Sequence, residues 1–250
     1  VRQLLIALTI LISALACPPA MASAAPCQTQ TFEGSHFTVC RYDPATDTLT
    51  LAQSDRNGKP LRTFARLENQ LGHTSRLVKF AVNAGMFGDT GQPIGLYIEN
   101  GKVRRALNVR SGRGNFYMMP NGVFFTTANG SPHIAPRDTF AGLKETPVWA
   151  TQSGPMLVVD GKLNDQFAPD GTSKYIRNAV GVSPNGTAAF VISEAPVSFG
   201  RLGRFFRDAL GCRNALYLDG AVSSLWVPTQ NRRDSHALLG PLLVVAAKPR

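Results

Sequence analysis

The sequence of 250 residues predicts an α+β fold, a single domain of mixed β-sheets with a few helices. Short apolar or alternating runs recur along most of the chain, separated by Gly, Pro, Asn and Asp, as strands and tight turns require. Only two stretches carry helical periodicity. Residues 25–250 contain no internal repeat, low-complexity tract or splitting linker, and they suffice for one large hydrophobic core.

Residues 1–24 read as a signal peptide. Arg2 supplies a positive start, 4–15 an apolar stretch, and Ala22-Ser23-Ala24 a cleavage signal before Ala25. The apolar stretch is too short for a comfortable membrane span, and no comparable run follows it. The expected product is exported, periplasmic or secreted, without integral membrane association. In an oxidising compartment Cys27 and Cys40 are expected to form a disulfide that staples the N-terminal end to the first strand. That leaves Cys212, read as a small buried hydrophobe.

Residues 37–42 and 48–53 alternate around the turn Asp43-Pro44, and 63–71 suggest a helix. The apolar run 77–82 ends at Asn83. The run 94–99 leads into Asn100-Gly101 and then Val103, a hairpin signal. Residues 116–119 and 123–127 flank Pro120-Asn121-Gly122, read as a second hairpin. The run 149–152 leads through Ser153-Gly154-Pro155 to 156–159 and Asp160-Gly161. Strands are also expected at 187–193, 215–218 and 242–247. In 198–210, Phe199, Leu202, Phe205, Phe206 and Leu210 form one face of an amphipathic helix, Arg201, Arg204 and Arg207 the other, and Gly211 a stop.

The formal charge of +10 could draw anionic polymers. The arginines are scattered, however, and no aromatics interleave with them as in a single-strand-binding groove, so no nucleic-acid partner is expected. His36, His73, His133 and His236 show no metal-ligand spacing, and the carboxylates form no calcium loop, so neither metal nor cofactor is expected. A Walker loop, a dinucleotide fingerprint and a nucleophile elbow are all missing. Ser153 is a poor acyl-transfer nucleophile, because Pro155 removes a backbone N–H that an oxyanion hole might use.

Four strand-to-turn junctions share one design, an apolar run ending in small and polar residues. They are Asn83-Ala84-Gly85-Met86-Phe87, Gln152-Ser153-Gly154-Pro155, Arg177-Asn178-Ala179-Val180-Gly181, and Leu218-Asp219-Gly220-Ala221-Val222-Ser223-Ser224. Together they suit a ligand carrying a phosphate and a sugar. Arg177 offers a bidentate fork for phosphate, and Asn83 and Ser153 offer hydrogen bonds for hydroxyls or an acetamide. Asp219, at a strand exit against an apolar wall, is placed to act as base or nucleophile, with Ser223, Ser224 or backbone N–H groups keeping it ionised. Glu194, after the strand 187–193, is the best second carboxylate, and Asp89 the next.

In their order along the chain, NAGMF, SGP, RNAVG and LDGAVSS resemble the phosphodiester glycosidase family, with similarity from about 37 to 245. The resemblance implies an exported glycosidase domain spanning 25–250. Its site would be lined by Asn83, Gly85, Ser153, Gly154, Arg177, Asp219, Gly220 and Ser223. Ala221-Val222 departs from the further glycines many relatives carry there. The expected activity is hydrolysis of sugar-1-phosphate diesters in an envelope or extracellular glycan. The alternative is a non-catalytic periplasmic binder of anionic glycans.

Overall fold

The computed structural model describes residues 25–249, so the leader reading of 1–24 lies outside the described residues. The fold is α+β, with three antiparallel sheets and few helices. The first sheet has seven strands in the spatial order Cys27–Phe32, Ser35–Tyr42, Ala188–Ser193, Asn178–Val182, Asn214–Tyr217, Met156–Val159 and Lys162–Leu163. A second runs Arg232–Arg233, Leu225–Val227, Val78–Asn83, Leu242–Ala247 and Asp47–Ala52. The third runs Lys102–Arg105, Tyr97–Glu99, Trp149–Ser153, Gly122–Thr126 and Pro132–Pro136.

The inner faces of the three sheets share one core. Phe190 of the first sheet packs its ring 5.6 Å from Phe80 of the second and 5.6 Å from Phe124 of the third. Each of these rings is buried, worth about 1.5–3 kcal/mol relative to exposure. The outer face of the first sheet is covered by the helix Phe199–Arg204 and its wider-wound extension Phe205–Ala209, with Phe205 stacked 4.2 Å from Phe37. Ser198 caps that helix, its hydroxyl accepting from the Arg201 N–H. Thr63 caps Phe64–Leu71, which buries Phe64 and Leu67 against the outer face of the second sheet beside Trp226. Among the described residues no helix is long and apolar enough to cross a membrane.

Cys27 and Cys40 sit opposite each other in the first hairpin and form the expected disulfide, while Cys212 is free and buried. Both expected helices lie where periodicity puts them, and a short helix, Arg137–Ala141, is present that was not expected. Arg201 and Arg204 face outward as expected, but they are ion-paired with Glu33 and Asp170 rather than only solvated. The expected hairpin at 120–122 is corrected. Asn115–Tyr117 is a short helical turn whose Phe116 plugs into the core, and Gly122–Thr126 pairs instead with Pro132–Pro136 and Trp149–Ser153. The partner strand was masked by its two prolines, which an edge strand tolerates because its outward N–H groups need no ladder partner. Of the expected strand at 94–99, only Tyr97–Glu99 pairs.

Candidate active site

The four junctions converge at one end of the sheets. The Asp219 N–H donates to Ala84 O at 3.2 Å, and the Leu218 N–H to Asn178 O at 3.1 Å. Tyr217 N–H donates to Pro155 O at 3.0 Å, and Gly85 N–H to the Thr151 hydroxyl at 3.2 Å. Backbone from all four motifs is therefore in direct contact. Gly85 has to be glycine, because a Cβ there would collide with the Gln152 carbonyl and the Thr151 hydroxyl.

The polar side chains of this meeting point turn mostly inward. Asn83 donates from Nδ2 to the Asp219 carbonyl at 2.7 Å and accepts at Oδ1 from the Ser224 N–H at 2.9 Å. Asn178 donates to the Asn83 carbonyl and to its Oδ1, both at 3.1 Å. The single Ser223 hydroxyl proton has three acceptors in reach: Gly220 O, Asn178 Oδ1 and Ile176 O. Ser224 donates to Val222 O at 2.7 Å. All four side chains are buried, so Asn83, Ser223 and Ser224 clamp the Asp219–Gly220 turn rather than face a ligand. Ser153 is also buried, and among the described residues its hydroxyl has no hydrogen-bond partner. Gly154 lies where a Cβ would press on Asn121 and the Phe116 carbonyl.

Of the polar side chains of the clamped turn, that of Asp219 reaches the surface, beside the exposed Ala221 and the half-buried Val222. Asp219 is half-buried, with Oδ1 accepting from the Ala221 N–H at 3.3 Å and the carboxylate also taking the Phe87 N–H. Burial lifts its carboxyl above the usual carboxylate range, and those two backbone donors pull the other way. Among the described residues no Lys or Arg forms an ion pair with it. Of the donors expected to keep it ionised, the backbone N–H groups take that role and the two serines do not.

Behind the turn lies Arg177, 1% exposed. Its Nε donates to Val197 O at 2.9 Å, one terminal nitrogen to the Tyr217 hydroxyl at 3.3 Å, and the other to Ser173 O and Oγ at 3.0 and 3.2 Å. The guanidinium stacks 3.6 Å over the Phe199 ring. Burial draws its pKa down, yet an arginine stays charged, and among the described residues no carboxylate pairs with it. The expectation that Arg177 offers an open fork to phosphate is corrected, because the loop at Ser173 and the Phe199 helix cover it. What reaches the turn is Tyr217. Its phenol oxygen abuts Gly220 so closely that a Cβ there would collide, and it accepts from Arg177.

Tyr217 escaped the sequence reading because it passes for one more apolar residue of the strand. Strand alternation was the available signal, since residues 217 and 219 share a face. Glu194 is not brought to this cluster. It lies two strands from Asp219, roughly 10 Å at the usual strand spacing, on the opposite face of the sheet. There it accepts from Arg232 at 2.6 Å and from the Thr38 hydroxyl at 2.6 Å. Asp89 is exposed on the loop after Phe87. Among the described residues no three His, Cys, Asp or Glu side chains gather as metal ligands do. Concavities of about 640 Å³ beside Asp55, Arg66 and His73 and of about 760 Å³ beside Asp47, Arg76 and Lys79 have none of the site residues in their walls.

A family model for phosphodiester glycosidase matches residues 77–245. Over 185 residues the chain is 35% identical to the uncharacterized protein YigE of Escherichia coli, covering 74% of this chain and 72% of that one. The catalytic domain of zebrafish N-acetylglucosamine-1-phosphodiester alpha-N-acetylglucosaminidase, auto-inhibited by its pro-peptide, matches with a TM-score of 0.57 at 15% identity, over 90% of this chain and 82% of that chain. A hypothetical protein from Synechocystis matches with a TM-score of 0.53 at 15% identity, over 89% and 61%. At such identities the likeness speaks for the fold.

Proposed function

Since the chain belongs to the phosphodiester glycosidase family, we propose that it hydrolyses glycosyl phosphodiesters in a glycan outside the cytoplasm, with Asp219 as the reacting carboxylate. The observation that carries this reading is the isolation of Asp219. A half-buried carboxylate with a raised pKa and no cationic partner costs stability, and such costs gather where chemistry is done.

In a sugar-1-phosphate diester the phosphate is already a good leaving group, so little general-acid help is needed. Asp219 acts on the anomeric carbon, either taking a proton from the attacking water or attacking directly. The bond from the anomeric carbon to the phosphate oxygen breaks, and the phosphate monoester departs with the electron pair. When Asp219 attacks directly, water then releases the glycosyl group from it. Arg177 supplies its charge from behind Tyr217, across a low-dielectric wall where it is weakly screened, and so favours negative charge gathering at the turn. Gly220 and Gly154 let Tyr217 and the Phe116 carbonyl pack directly against their turns, and the buried Ser153 hydroxyl, with Asn121 Oδ1 beside Gly154, has hydrogen-bonding capacity left to offer.

The test is release of reducing sugar from a UDP-linked N-acetylglucosamine by the parent and by Asp219→Asn. Sugar released by the parent and lost in the variant supports the assignment. A protein that retains the compound without cleaving it, and does so equally well as Asp219→Asn, is the non-catalytic binder instead.

A further inference from the structure

The net positive charge is unevenly neutralised. Lys102, Arg104, Arg105, Arg110 and Arg113 fall within residues 102–113, and no Asp or Glu occurs between Glu99 and Asp138. Elsewhere the outward arginines mostly find carboxylates: Arg201 and Arg204 share Glu33 and Asp170, Arg232 holds Glu194 and Asp234, and Arg233 holds Glu68. Among the described residues only Arg104 of the ribbon has one in reach, Glu99 at 3.8 Å. All four residues of the strand Lys102–Arg105 are exposed, and so are 109–115. Charged residues on an edge strand commonly guard against edge-to-edge pairing, which accounts for the strand but not for Arg110 and Arg113 beyond it.

The ribbon is also fixed in place, and fixed to the candidate site. Asn108 N–H donates to Gln152 Oε1 at 2.8 Å, and Gln152 Nε2 returns a bond to Asn108 O at 2.9 Å. Asn108 Nδ2 donates to Ile94 O at 2.9 Å. Gln152 immediately precedes Ser153. Gly112 lies so close to the Tyr117 ring that a Cβ would press on it, and the neighbouring Phe116 carbonyl packs on Gly154. A run of uncompensated cations therefore ends on the loop that frames one of the four motifs.

We propose that residues 102–113 form a docking surface for a polyanionic glycan, one with repeated phosphodiesters, whose chain extends from the Asp219 turn along this ribbon. The choice of a glycan rests on the hydrolase reading above. The large apolar side chains exposed between the cations are Val103 and Val109, with no exposed aromatic on which nucleic-acid bases would stack. The segment is extended and lacks the apolar helical face that seats a protein on a membrane surface.

The experiment measures binding of the full chain to poly(glycerol phosphate) bearing N-acetylglucosamine, against neutral dextran and single-stranded DNA of matched charge. A variant carrying Lys102→Gln, Arg105→Gln, Arg110→Gln and Arg113→Gln is expected to bind the polymer at least ~10-fold more weakly at low salt, because these charges act together and unscreened. It should still turn over UDP-linked N-acetylglucosamine at the parent's rate. A control losing four charges elsewhere (Arg41→Gln, Arg56→Gln, Arg207→Gln and Arg213→Gln) should bind as the parent does. The proposal is overturned if the ribbon variant keeps full affinity, if the control loses as much, or if DNA binds through the ribbon as tightly as the glycan. A parent that cleaves no UDP-sugar yet holds the polymer through the ribbon removes the hydrolase reading and leaves the docking surface standing.

Discussion

Asp219 and Glu194 each follow a buried strand at the same end of the same sheet, and their surroundings could hardly differ more. Glu194 has Arg232 and the Thr38 hydroxyl against one oxygen, and it belongs to an ion-pair network that continues to Asp234. Asp219 has two backbone N–H groups and no cation, although a guanidinium without any carboxylate lies one tyrosine away. Folding alone would have paired Asp219 with Arg177, since an isolated buried charge is costly. Tyr217 is inserted between them instead. A carboxylate whose charge is already compensated has little left for a substrate, and one held apart from its nearest cation keeps its reactivity.

The largest expected effect separates the two carboxylates directly. Asp219→Asn keeps the shape and should lower turnover by at least ~10² while the protein stays folded. Its stability carries a sign as well. Burial raises the Asp219 pKa in the folded state, so its ionisation opposes folding, and the penalty is fully present once pH exceeds the folded value. It disappears below the unfolded value, where both states are protonated. The Asn variant should therefore melt higher than the parent near neutral pH, with the difference vanishing in acid; thermal unfolding across pH checks this. For the same reason the acidic limb of the parent's turnover profile should lie above the usual carboxylate range. An equally active Asn variant would collapse the comparison.

Next in size is the guanidinium. Arg177→Lys keeps the charge but loses the fork held by Val197, Ser173 and Tyr217, and turnover should fall about tenfold, with only partial rescue relative to Arg177→Gln. Steady-state kinetics of the pair settles whether charge or geometry matters more. Tyr217→Phe removes the acceptor of a buried, charged donor, Arg177, and should cost about 1–3 kcal/mol in denaturant unfolding. The smallest effect is expected at the other pole. Glu194→Gln should lose about 0.5–1 kcal/mol, since the pair is partly solvent-exposed, and leave turnover within about twofold. A large loss of activity there would return Glu194 to the site.

Much of this site was legible in the sequence because strand ends advertise themselves. An apolar run stopping at Asn83, Gln152 or Asp219 marks a strand end, and the glycines mark where backbone must come close; Arg177, expected at another strand exit, stands at the entry of Asn178–Val182 instead. Which side chains would face outward was not legible. Asn83 and Ser223 turn inward toward partners from distant segments, and Arg177 is hidden by Ser173, on a loop that carries no local signal, and by Phe199, on a helix whose periodicity does not say what it packs on. In the fold, the strand Pro132–Pro136 went unseen for a related reason. Its prolines speak against a strand until the sheet edge that tolerates them is known.

The clamp beneath Asp219 also has a history to impose on the chain. The Asn83 side chain bonds to Asn178, Asp219 and Ser224 across sequence separations of 95, 136 and 141 residues. None of these bonds can form until loops of that length have closed, and closing them sacrifices chain entropy before the contacts return anything. Contacts this remote form slowly, and a chain with its hairpins in place but its clamp open would have most of its strands and no ordered turn at Asp219. Competence is then among the last properties acquired on the way to the native state, and a nascent or half-assembled molecule is inert by construction.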